Sequence, residues 1–203
     1  MTHTLLTINA SSNPSTSTSR KLSQLVQQRI TDKHEQHQII EREVSQGLPL
    51  IDAEWIAASY TAAAERNETQ KQLLALSGQL IQEIKNADEI IIATPMYNFS
   101  VPGGLKAWID LIARVGETFH YTDEGPQGLV ASKPVTLIIS TGGVPVGSEM
   151  DYVSPYLKQV LSFIGLTDIN IISAEGMNVS PENSLQRAHE QIDQLMQDRA
   201  QAA

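Results

Sequence analysis

The sequence has no cysteine, which removes disulfides, thiolate metal ligands and cysteine nucleophiles together. Basic residues are scarce. Fourteen Lys and Arg stand against 23 Asp and Glu, for a net charge of -9, with none of the basic patches of a nucleic-acid binder. No apolar run approaches the roughly 18 residues that a membrane span needs. The opening Met1-Thr2-His3-Thr4 lacks the basic start and cleavage site of a signal peptide. The fingerprints G-x-x-x-x-G-K-[ST], G-x-G-x-x-G and G-x-S-x-G are all absent. A cytoplasmic enzyme without nucleic-acid or membrane partners is therefore expected, with neither a triphosphate loop nor a nucleophile elbow. No linker, repeat or low-complexity tract divides the 203 residues, so one domain over 1–203 is expected.

What is present alternates between two periods. Leu5–Asn9 is strand-like, and Ser19–Ile30 carries Leu22, Leu25, Val26 and Ile30 at helical spacing. Gln38–Val44, with Glu41, Arg42 and Glu43, reads as an edge strand. Residues 45–66 hold a loop at Gly47 and Pro49, then a short helix near Trp55, Ile56 and Tyr60. Thr69–Lys85 is a helix, with Thr69 and Gln72 as its expected capping box. Glu89–Thr94 is the continuous apolar run of a central parallel strand. Helix 105–115, strand 134–140, helix 151–164, strand 169–174 and helix 180–199 complete the pattern. Five alternations predict a doubly wound α/β fold with helices on both faces of a five-stranded parallel sheet, in the flavodoxin-like order 2-1-3-4-5.

Such sheets bind ligands beyond the carboxyl ends of their strands. Three loops there become candidates. The first, Ser11–Ser19, is rich in hydroxyls and precedes a helix N-terminus, which suits one phosphate; the basic Arg20 adjoins it. The second, Met96-Tyr97-Asn98-Phe99 after Pro95, puts two aromatics, a Met and an Asn where small polar residues are usual. A flat ring would use such a surface. The third, Ser140-Thr141-Gly142-Gly143, allows a backbone to touch a ligand. His34 and His37 are two His without a third ligand, so no metal is expected. His120 lies near the expected pocket.

P-M-Y-N-F at 95–99, T-F-x-Y-T-x-x-G-P-x-G-L at 118–129, S-x-G-G at 140–143 and F-I-G at 163–165 resemble the FMN-dependent NADH azoreductases, also called FMN-dependent NADH:quinone oxidoreductases. The resemblance runs from the first strand to A-E-G at 174–176. It implies a flavodoxin-like homodimer with tightly bound FMN, NADH as electron donor, and quinones and azo dyes as acceptors. It implies that Ser11, Ser17, Thr18 and Ser19 hold the phosphate. Met96, Tyr97, Asn98 and Phe99 would meet the ring, with Ser140, Thr141, Gly142 and Gly143 as the third loop. Phe119, Tyr121 and Phe163 would line the substrate, on segments expected beside the cofactor edge. Members of the family can carry Arg where this chain has Thr141, which bears on substrate charge preference. No side chain is expected to be catalytic, because a flavin carries the hydride and the protein places it. The alternative is a flavodoxin-type electron carrier with no substrate pocket of its own. A receiver domain is disfavoured, since Asn9-Ala10 and Thr94-Pro95 lack its acidic residues.

Overall fold

The computed structural model describes residues 2–202. Along the chain run β1 (His3–Asn9), α1 (Thr18–Thr31), β2 (His37–Glu43), α2 (Ala53–Tyr60), a 3-10 turn (Ala63–Glu65) and α3 (Glu68–Asn86). Then come β3 (Glu89–Pro95), α4 (Gly103–Ile112), the hairpin β4 (Phe119–Thr122) and β5 (Gly125–Gly128), β6 (Val135–Ser140), α5 (Ser154–Ile164), β7 (Ile169–Ala174) and α6 (Pro181–Ala202). The main sheet has the order β2-β1-β3-β6-β7 with every pairing parallel. With the hairpin set aside, this is the expected 2-1-3-4-5.

Burial explains the layering. All seven residues of β3 are buried, whereas β2 has none fully buried, as its charges require of an edge. Alternate β3 side chains face opposite ways. Ile91 packs with Leu5, Leu22, Val26 and Ile192 beneath α1 and α6. Ile90 and Ile92 pack with Leu80, Trp108 and Leu161 beneath α2–α5.

One local expectation is corrected, and one element is new. The capping box of α3 lies at Asn67 and Gln70, each side chain accepting from the other's amide, not at Thr69 and Gln72. Asn caps at least as well as Thr, and starting the helix earlier puts Glu68 against its positive end. The segment 118–129, to which the sequence pattern assigns no element, forms a hairpin that pairs Phe119 with Gly128 and Thr122 with Gly125. Its second strand, Gly-Pro-Gln-Gly, has no apolar alternation to announce it.

The hairpin docks on the end of α5 through two glycines. A Cβ on Gly128 would lie 2.3 Å from the Gly165 nitrogen. One on Gly165, whose φ is +112°, would lie 2.3 Å from the Val130 carbonyl oxygen. The Val130 amide donates to the Ile164 carbonyl at 3.0 Å in the space this leaves. Gly165→Ala is therefore expected to lower the unfolding free energy by about 2–4 kcal/mol, from backbone strain plus the clash. A urea midpoint equal to that of the unmodified protein would contradict the close approach.

Candidate functional site

β1, β3 and β6 end side by side. In their register Asn9 pairs with Ala93, and Pro95 with Ser140. Backbone bonds carry the contact into the loops. The Ala10 amide donates to the Ala93 carbonyl at 2.9 Å, Met96 to Ser140 at 2.8 Å and Thr141 to Ala174 at 3.0 Å. All three candidate loops thus leave from one edge.

The first loop delivers a helix N-terminus. Ser17 caps α1, its hydroxyl accepting from the Arg20 amide at 3.4 Å and lying 3.1 Å from the Ser19 hydroxyl. Both serines are buried, as is Ser11. The amides of Thr18 and Ser19 have no acceptor among the described residues, as geometry dictates for a first helical turn. Asn13 folds the loop, its side-chain oxygen accepting the amides of Ser15 at 3.2 Å and Thr16 at 3.0 Å. The Arg20 side chain is committed to partners within the protein. Its guanidinium donates to the Ser11 carbonyl at 2.8 Å and the Ser45 hydroxyl at 3.3 Å, and meets Glu43 at 2.6 Å. Burial alone would raise the Glu43 carboxyl, but hydrogen bonds from Ser45 and Arg20 hold it below the usual carboxylate range. The seat therefore consists of hydroxyls and amides, with its one cation already paired. The Arg20–Glu43 pair was not foreseen, because it joins α1 to β2 across the fold.

The second loop is a tight turn. Tyr97 and Ser100 exchange both backbone bonds, each 3.0 Å. Between them Asn98 and Phe99 have φ of +49° and +71°. Positive φ suits Asn but is costly for Phe. Tyr97, Asn98 and Phe99 are exposed, with Phe99 at 52%, while Met96 is half-buried against the core. Behind the turn, Gly104 lets α4 press on the chain leaving β2, for a Cβ there would lie 2.0 Å from the Val44 carbonyl oxygen.

In the third loop Thr141 is buried and Gly143 faces open space. The Gly142 carbonyl accepts from the Asn178 amide at 2.9 Å. Farther on, the buried Asp151 gathers the amides of Gly147, Val153 and Ser154 at 2.8–3.0 Å and the Ser154 hydroxyl. That is why α5 begins at Ser154 and not at Asp151 as expected. The Tyr152 amide donates to the Phe99 carbonyl at 3.1 Å, joining the second and third loops.

Phe119, Tyr121 and Phe163 do cluster, with ring centroids 5.6 Å apart for Phe119–Tyr121 and 4.4 Å for Phe119–Phe163. Phe119 follows α4 and Phe163 lies near the end of α5, helices of ten and eleven residues that each run about 15 Å from the loop they leave. There Phe119 and residues Ile51, Trp55, Ile56 and Tyr60 of the 45–66 segment wall a cavity of 270 Å³. His120 is half-buried on β4. His34 stacks on His3 at 3.8 Å, far from these loops.

The flavodoxin-like fold family profile matches residues 3–197. The FMN-dependent NADH:quinone oxidoreductase 1 of Hahella chejuensis is 47% identical over 188 residues, 93% of this chain and 92% of the relative. That of Colwellia psychrerythraea is 40% identical over 192 residues, 94% and 99% of the two chains. The chain belongs to the flavodoxin-like FMN-dependent NADH:quinone oxidoreductase family. Its fold matches the FMN-dependent NADH-azoreductase from Bacillus anthracis str. Ames Ancestor, solved in complex with FMN, with TM-score 0.85 and 25% identity over 98% of this chain and 99% of that one.

The glycines of the third loop differ in what surrounds them. A Cβ on Gly142 would lie 2.6 Å from the Asn178 side-chain nitrogen, and one on Gly143 would touch nothing. Gly142→Ala should cost about 1 kcal/mol of stability and Gly143→Ala less than about 0.5 kcal/mol. Equal thermal shifts in the two variants would contradict this contrast.

Proposed function

We propose that this chain is an FMN-dependent NADH:quinone oxidoreductase that also cleaves aromatic azo compounds, acting as a single FMN-binding domain over 1–203. The observation that carries the reading is the convergence, at one sheet edge, of a helix N-terminus with uncommitted amides, an exposed left-handed turn bearing Tyr97 and Phe99, and an open glycine loop. The residues fit the cofactor. Thr18 and Ser19 amides with the Ser11, Ser17 and Ser19 hydroxyls suit its phosphate, and amide donors at a helix start need no further cation. Met96, Tyr97, Asn98 and Phe99 suit a flat ring, and Gly142 and Gly143 suit close backbone approach beside Ser140 and Thr141.

When bound, FMN supplies two-electron hydride chemistry between NADH and an acceptor. The residues of this chain bind and orient. The seat at α1 fixes the phosphate end, and the preformed 97–100 turn fixes the plane on which a ring lies. The exposed aromatics of that turn exclude water from one face. One such site serves donor and acceptor in turn, which supports alternation and not a ternary complex. A cytoplasmic setting fits NADH as the donor.

The position of the aromatic cluster supports a homodimer. Phe119 and Phe163 lie about one helix length along α4 and α5 from the loops, a placement that suits the wall of a partner's site. A two-fold partner would bring its copy of the cluster to this edge and build two equal sites at once. The carrier alternative needs no such second wall.

Purified protein should be yellow with about one FMN per chain. Gly143→Val should weaken FMN binding while leaving the fold intact, because the side chain would occupy the open space. NADH added without oxygen should bleach the flavin, quinone should restore it, and steady-state plots at varied quinone should be parallel; intersecting lines would point to a ternary complex. Tyr121→Ala should raise the KM for quinone about tenfold while changing FMN affinity less than about twofold. Light scattering that found a fully active monomer at assay concentration would defeat the shared site.

A further inference from the structure

We infer that Asp151 is a positioning residue for the ring loop, its buried carboxylate fixing the turn from which the Tyr152 amide holds Phe99 in its left-handed conformation. The inference rests on reading the 96–99 loop as the flavin's contact.

The 97–100 turn carries its own cost. Phe99 sits at φ +71°, where a bulky residue loses energy relative to the extended region. Packing does not offset this, since Tyr97, Asn98 and Phe99 are all exposed. Closure between Tyr97 and Ser100 defines the turn but does not fix its orientation toward the rest of the edge. Besides the chain itself, the backbone bond into the turn from outside is that of the Tyr152 amide to the Phe99 carbonyl, 3.1 Å.

Tyr152 cannot hold that place by its own side chain, which is 61% exposed. Its neighbours hold it. Asp151 is 3% exposed. One carboxylate oxygen accepts from Val153 at 2.8 Å and Ser154 at 3.0 Å, and the other accepts from Gly147 at 2.8 Å and from the Ser154 hydroxyl. Its own amide donates to the Ser148 carbonyl at 3.0 Å. Both sides of Tyr152 are thereby fixed to the first turn of α5. Burial by itself would push the Asp151 carboxyl up, but these hydrogen bonds hold it below its usual range, so the anchor remains charged. A charged acceptor binds amides more strongly than a neutral one, and leaving such donors unpaired in a buried place is costly. Asp151 thus acts at a distance, through one peptide bond, on the orientation of the ring loop.

The test uses full-length apoprotein titrated with FMN and, separately, with riboflavin, beside amide hydrogen exchange at Tyr152 without flavin. Asp151→Asn should raise both dissociation constants about tenfold and by the same factor, because ring-loop damage is blind to the phosphate. Ser154→Ala, which removes one donor and keeps the charge, should act in the same direction by about threefold. Tyr152 should exchange faster in both variants. Should Asp151→Asn fail to fold, the titrations and Tyr152 exchange of Ser154→Ala decide the matter. Unchanged affinities, or a loss confined to FMN, would overturn the inference. A wild-type protein that took up no flavin would defeat the functional reading instead, and the exchange data would still decide the link from Asp151 to Tyr152.

Discussion

Parallel pairing of β1, β3 and β6 is the constraint on which the candidate site depends. Because every strand of the main sheet points the same way, Asn9, Pro95 and Ser140 end together and their loops must leave from one edge. The first backbone bonds beyond the ladder, Ala10 to Ala93 and Met96 to Ser140, extend that register into the loops. A slip of one residue would turn Ile90 and Ile92 toward α1 and α6 and would separate the loops. Burial of all seven β3 residues opposes such a slip.

Charge is handled unusually at the first loop. An acidic chain that is to receive a phosphate would gain from a free cation, yet Arg20 is committed to Glu43, Ser45 and the Ser11 carbonyl. Its work is to tie the loop to the end of β2. What remains for an anion is the dipole and the uncommitted amides of α1, which hold their charge at fixed positions and need no side-chain ordering. The second loop stores strain where the first stores polarity. Phe99 in the left-handed region is tolerable because Tyr97, Ser100 and Tyr152 together over-determine its backbone.

The fold was legible because its signals are local. Ile90–Ala93 is apolar without interruption, and Ile169–Ala174 matches the observed strand end to end. The three loops could be placed once strand order was assumed. The capping box went astray by two residues because Asn67 and Thr69 both carry good cap chemistry, and only the competition between them decides. The hairpin escaped because Gly-Pro-Gln-Gly lacks a strand period and pairs through its backbone. Gly128 and Gly165 belong to the motifs that carry the family resemblance, and their physical reason is that each leaves room for a backbone approaching from elsewhere in the chain.

The sequence by itself determined the alternation of strand and helix, the buried centre and charged edge of the sheet, and the residue types in the three loops. These follow from side-chain period and composition, which neighbours in sequence fix. Only the tertiary structure decided that Arg20 serves Glu43, that the Asp151 carboxylate gathers the amides of Gly147, Val153 and Ser154, and that Phe119, Tyr121 and Phe163 meet. Each of these depends on which way a helix carries its far end, and on partners up to dozens of residues away, and neither is written in any local stretch of chain.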